Sequence, residues 1–126
     1  MGTFNVSIQV GGPSGGEFQT IDALVDTGAS RTMLPRNLLT TLGVVAIERV
    51  AFQLADERMV EYDVGEARIR LDGRERTTLV IFGPDDAEPL LGATTLQLFN
   101  MAVDTAGERL FSVPGLLKGV VAPEVR

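Results

Sequence analysis

Residues 23–30 read Ala23-Leu24-Val25-Asp26-Thr27-Gly28-Ala29-Ser30. An apolar run ends in a carboxylate, and a turn of small polar residues follows. A strand ahead of Asp26 would hold its carboxyl at a fixed place. Thr27 beside it can hydrogen-bond locally, and Gly28 permits a tight turn that a side chain would block. The same aspartate has a plainer use, as a turn or helix-capping residue. The triplet alone does not separate these readings, so the flanking sequence must.

Upstream, Phe4, Val6, Ile8 and Val10 alternate with Asn5, Ser7 and Gln9. That period of two is the mark of a half-buried strand. Residues 11–16 (Gly-Gly-Pro-Ser-Gly-Gly) are a breaker cluster and read as a flexible connection. They contain no Gly-Lys-Ser/Thr, so a phosphate-binding loop is a poor reading. Residues 18–25 predict a second strand that delivers Asp26. Downstream, Pro35 opens a short helix carrying Leu38, Leu39 and Leu42, with Gly43 as its stop.

Residues 44–54 are apolar-rich and extended. Ala55, Asp56, Glu57 and Arg58 form a hairpin tip, and residues 59–64 are its return strand. Residues 67–71 make another strand before Asp72-Gly73, the strongest short hairpin-turn signal in the chain. Residues 77–82 are strongly β-prone, and residues 83–89 form a loop between Pro and Gly punctuators. Leu90-Leu91-Gly92 is short and buried in character, and residues 93–99 predict two helical turns. Residues 101–103 and 110–113 flank a turn around residues 104–107, and residues 119–126 read as a loose tail. Many short strands with two short helices predict an all-β barrel or sandwich.

The chain has 126 residues, which fits one domain able to bury roughly two-thirds of its unfolded surface. Hydrophobic residues at 44% and charged residues at 22% place it with globular proteins rather than disordered ones. It contains no cysteine, histidine or tryptophan. Disulfides, thiolate metal sites and any Ser-His-Asp or Cys-His mechanism supplied by this chain alone are therefore excluded. Carboxylates lead for acid–base work. The net charge of −6 argues against a nucleic-acid partner, which needs clustered Lys and Arg. No apolar stretch is long enough for a membrane span. Residues 1–5 show no signal-peptide pattern, so the expectation is a cytoplasmic protein.

Residues 23–30 resemble the active-site segment of the retropepsin-like aspartic proteases, the single-domain group that includes retroviral proteases. A second stretch matches downstream. Residues 79–84, a loop and then residues 89–96 (Pro-Leu-Leu-Gly-Ala-Thr-Thr-Leu) resemble the family's hydrophobic-hydrophobic-Gly segment and short helix. The order of elements fits as well. The resemblance covers roughly residues 5–113 of a single domain spanning residues 1–126.

It implies a small closed or partly closed β barrel with a flap hairpin, acting as a homodimer on a peptide or protein substrate. Each chain would bring Asp26 to a shared catalytic dyad, with no cofactor and no metal. Thr27 would brace the two loops across the dyad, Gly28 would let substrate backbone approach, and Ala29 would sit beside the substrate. Residues 52–64 would be the flap, placing Ala55, Asp56, Glu57 and Arg58 over the substrate. Two paired carboxylates cannot both ionise easily, so such a dyad holds one proton near moderate acidity.

Two departures stand out. The flap tip is charged and lacks the glycines of retroviral flaps. Retroviral members also pair an acidic residue, here replaced by Ser30, with an arginine, here replaced by Ala93.

Asp104-Thr105-Ala106-Gly107 echoes the first triplet, but Ala106 breaks it and one short domain cannot hold two lobes. Asp85, Asp86 and Glu88 lack the spacing of a calcium loop and read as a solvated loop. Arg68, Arg70, Arg74 and Arg76 read as an exposed strand face. A carboxylate glycosidase would need a second partner as good as Asp26, and none is evident. The main rival is a catalytically weak dimer of the same fold serving as a binding or assembly module.

Overall fold

The computed structural model describes residues 3–115, so the expected tail at residues 119–126 lies outside the described residues. Among the described residues, nine strands and two helices follow one another. They are β1 (Phe4–Gly11), β2 (Phe18–Val25), β3 (Thr32–Pro35), α1 (Arg36–Thr41), β4 (Ala46–Gln53), β5 (Met59–Leu71), β6 (Arg74–Gly83), β7 (Leu90–Leu91), α2 (Ala93–Leu98), β8 (Met101–Asp104) and β9 (Arg109–Ser112).

Seven strands form one sheet in the order β1-β2-β7-β3-β6-β5-β4, and β1 also pairs with β5. That extra pairing, Gln9 to Gly11 against Arg70 to Arg68, curls the sheet back on itself into a partly closed barrel. β4 hangs outside the ring as an edge strand, paired only with β5. β8 and β9 form a separate two-stranded sheet.

The alternation read in β1 is realised. Phe4, Ile8 and Val10 are buried, and Val6 packs against the same core. Ala23 and Val25 of β2, Leu34 of β3, Ala67, Ile69 and Leu71 of β5, and Val80 and Phe82 of β6 meet them there. Leu38 and Leu39 of α1 and Leu96 of α2 join the same core. Burial of these apolar side chains is the main favourable contribution to folding.

Most predicted elements appear where expected. The Asp72-Gly73 turn has positive φ at both residues, 54° and 73°, as a two-residue hairpin loop of type I′ requires. Two features differ from expectation. Residues 59–64 and 67–71 are not two strands but one, the 13-residue β5. Its first half pairs with β4 and its second half with β6 and β1, so a single rod joins the outer hairpin to the barrel. β3 went unread because four residues carry too little pattern. Its register comes from parallel pairing with β6, Thr32 opposite Val80 and Leu34 opposite Phe82.

Asp85 also has a structural role that its loop position did not announce. Its Oδ1 accepts the Asn37 N–H at 3.0 Å, serving a donor at the start of α1. Among the described residues no helix is long and apolar enough to cross a membrane.

Candidate active site

Asp26 stands one residue beyond the end of β2. Its own N–H donates to the Leu91 carbonyl at 3.1 Å, continuing the parallel β2–β7 ladder. Its carbonyl accepts from Ala29 N–H at 3.1 Å, which closes the turn. The Gly28 N–H donates to Asp26 Oδ1 at 2.9 Å. A Cβ on residue 28 would stand 3.1 Å from that oxygen, so glycine keeps the approach open. The Asp26 main chain is thus held on both sides, and its carboxyl accepts one backbone N–H, that of Gly28. Asp26 is half-buried, while Thr27 and Gly28 are exposed. No described arginine lies in ion-pair range of Asp26.

The loop is bolted to α2 from beneath. Ala93 N–H donates to Ala29 O at 2.8 Å, and Thr94 N–H to Ser30 O at 3.0 Å. These main-chain bonds join the two segments at the very positions where Ser30 and Ala93 offer no ion pair. Below them, Thr32 Oγ1 and Thr95 Oγ1 are 2.6 Å apart and buried, and Gly92 N–H donates to Thr32 Oγ1 at 3.1 Å. The fit at Gly92 is close. A Cβ there would come within 2.4 Å of the Arg31 carbonyl carbon and oxygen. The Leu-Leu-Gly segment is therefore the partner of the Asp-Thr-Gly loop, and glycine is what lets the two backbones meet.

Above the loop, β4 and the first half of β5 form a hairpin. A cavity of about 210 Å³ lies between the hairpin and the loop. Gly28, Ala29, Ser30 and Arg31 line its floor, with Met33, Ile81 and Leu90. Phe52, Gln53, Leu54 and Tyr62 line it from the hairpin, and the Phe52 and Tyr62 rings sit 6.2 Å apart at a tilt of 48°. Larger grooves of about 470 and 480 Å³ lie along the Ser7–Glu75 side and beside α2, but neither includes a residue of the Asp26 loop.

The predicted site residues divide accordingly. Asp26, Thr27, Gly28 and Ala29 come together in one loop, and Gly28 and Ala29 border the cavity. Ala55, Asp56, Glu57 and Arg58 occupy the hairpin tip, are exposed and are not among the lining residues. The tip is tied by its own bonds. Asp56 accepts from Arg58 N–H and pairs with its guanidinium at 2.7 Å, and Glu57 takes the left-handed conformation at φ 70°. Arg31, Met33, Ile81 and Leu90 were not singled out by sequence reasoning. A two-state alternation cannot show which side chains face a cleft formed by segments fifty residues apart.

A family model described as "Aspartyl protease" matches residues 6–95. The chain belongs to the aspartyl protease family. No curated protein matches it. Among solved structures, EIAV protease complexed with the inhibitor HBY-793 is similar, with a TM-score of 0.54 and 20% identity over 75% of this chain and 86% of that one. Simian Foamy Virus (mac) protease matches with a TM-score of 0.56 and 18% identity, over 76% of this chain and 94% of that one. A Legionella pneumophila protein of unknown function matches at 0.53 and 20%, over 79% and 90%. At these identities the likeness is one of fold, and the fold is the all-β retropepsin type. In this member of the aspartyl protease family, the matched residues 6–95 include both the Asp26 loop and the Gly92 segment that braces it.

Proposed function

We propose that the protein is an aspartic endopeptidase whose catalytic centre is a pair of Asp26 residues from two copies of the chain. The observation that carries this reading is Asp26 itself. Its main chain is pinned to Leu91 and Ala29 and its carboxyl accepts the Gly28 N–H, yet its loop is exposed and adjoins an apolar cavity beneath a hairpin. One carboxylate cannot serve as both acid and base in a single step, and a second copy docked on the exposed Thr27–Gly28 face supplies the other.

The chemistry then follows. Two adjacent carboxyls share one proton because a second charge so close is costly. The ionised member takes a proton from a bound water, whose oxygen forms a bond to the peptide carbonyl carbon. The protonated member donates its proton to the carbonyl oxygen. As the tetrahedral diol collapses, the C–N bond breaks, the leaving nitrogen takes the dyad's proton and one diol hydroxyl returns its proton to the ionised carboxylate, leaving a carboxylic acid, an amine and a dyad that again holds one proton. The hairpin of β4 and β5 acts as a flap that excludes water from this centre.

The test is cleavage of a diverse peptide mixture from about pH 3.5 to 7.5, comparing wild type with Asp26→Asn. Cleavage by wild type alone is the expected result. Equal cleavage by both variants would sink the Asp26 mechanism. The charged flap tip favours one second reading, a binding module on the same fold, and a folded dimer that cleaves nothing would support it.

A further inference from the structure

Arg31 stands out among the described arginines. Arg36, Arg49, Arg58, Arg68, Arg70, Arg74 and Arg109 each have an ion pair. Arg76 donates to the Glu75 carbonyl and lies over the Phe99 ring. Arg31 has no such partner among the described residues. It is half-buried and borders the cavity beside the Asp26 loop, where it is the one charged lining residue among the described residues. The other walls are apolar or neutral, Met33, Phe52, Leu54, Tyr62 and Leu90 among them.

Its backbone is also fixed. The preceding Ala29 and Ser30 carbonyls accept from Ala93 and Thr94, and the Arg31 backbone rests against Gly92. A cation on a pinned backbone, next to low-dielectric walls and without a counter-charge, is poised for an incoming anion. In a protein with 17 acidic and 11 basic residues, an unpaired arginine at this place is not surplus charge.

We infer that Arg31 is a specificity-determining residue. It selects peptide substrates that carry an Asp or Glu carboxylate close to the scissile bond, beside a large apolar side chain held by the Phe52–Tyr62 wall. The inference rests on the proteolytic reading of the cleft, and its test is built to fail separately.

Pooled short peptides share a central pair of large apolar residues, with Glu, Gln or Lys fixed at one flanking position. Two quantities are measured: kcat/KM for wild type, and binding to the full-length Asp26→Asn protein. Both should favour the Glu pool over the Gln pool by roughly 10- to 100-fold, the factor expected of a hydrogen bond to a charged group. Arg31→Gln should abolish that ratio, and Arg31→Glu should turn the preference toward Lys. The Glu advantage should also shrink as pH falls through about 4.3, where the substrate carboxyl protonates.

An absent Glu preference in wild type, or one that survives Arg31→Gln, overturns the inference while leaving the protease reading intact. So does weaker self-association of Arg31→Gln with peptide preference unchanged, which would assign Arg31 to the subunit interface. If wild type cleaves nothing but Asp26→Asn binds the Glu pool through Arg31, the proteolytic reading falls and the role of Arg31 stands. Neither cleavage nor binding of any pool overturns both.

Discussion

Asp26 owes its position to neighbours on both sides of the chain fold. Leu91 O takes its N–H, and Gly28 N–H meets its carboxylate. Asp26→Asn keeps the shape and the acceptor but removes the charge. It should lower peptide cleavage at least about 100-fold, with an unchanged thermal unfolding midpoint. The buried Thr32–Thr95 pair behaves differently. Thr32 Oγ1 serves both Thr95 and the Gly92 N–H. Thr32→Val would leave that N–H and the Thr95 hydroxyl without partners, at a cost of about 1–3 kcal/mol in chemical denaturation. Thr95→Val leaves the Gly92 bond in place and should cost less, so the order of the two variants tests the geometry. The Asp-Thr-Gly and Leu-Leu-Gly motifs were legible from residue types and order alone. Thr32 and Arg31 were not, because their partners lie some sixty residues away or outside the chain's own contacts.

At the scale of elements, the hairpin of β4 and β5 is the moving part of the proposed mechanism. Its base is gathered by Asp63, which accepts from Arg36 of α1 at 2.6 Å and from Arg49 of β4 at 3.1 Å. The Arg36 hydrogen bond, aided by Arg49 and opposed by partial desolvation, holds the Asp63 carboxyl below its ordinary value of 3.8. Folding therefore favours the ionised form. The stabilisation is fully present above the ordinary value and is lost as pH falls through the lowered one. Wild type and Asp63→Asn should accordingly differ in unfolding midpoint at neutral pH and converge in stronger acid. Both arginines are exposed and Asp63 is only half-buried, so the difference should be small and should shrink with salt. At the other end, amide exchange across residues 54–58 should slow when a peptidomimetic inhibitor binds. Unchanged exchange there would remove the tip from the mechanism. The hairpin itself was readable from an apolar-rich extended stretch, a charged tip and a return strand. That β5 runs on unbroken into the barrel was not, since Gly65 looks like a strand break in one dimension. In three, it is the place where Val45 O and the Phe82 ring come too close for a Cβ.

For the whole molecule, the exposed Asp26 loop, one half of the proposed shared site, is the decisive feature. Sedimentation should give about twice the chain mass at micromolar concentration, and a strict monomer would exclude a shared dyad. The amino-acid sequence by itself determined that carboxylates lead for acid–base chemistry, that short strands would fold into an all-β domain, and that Asp26 would follow a strand. These are matters of residue type and local period, which neighbours along the chain decide. The ring closure by β1 and β5, the seating of Gly92 against Arg31 and the cavity under Phe52 and Tyr62 were decided only by tertiary structure. Each depends on segments distant in sequence whose approach is set by packing and backbone pairing, and no local pattern encodes which of them will meet.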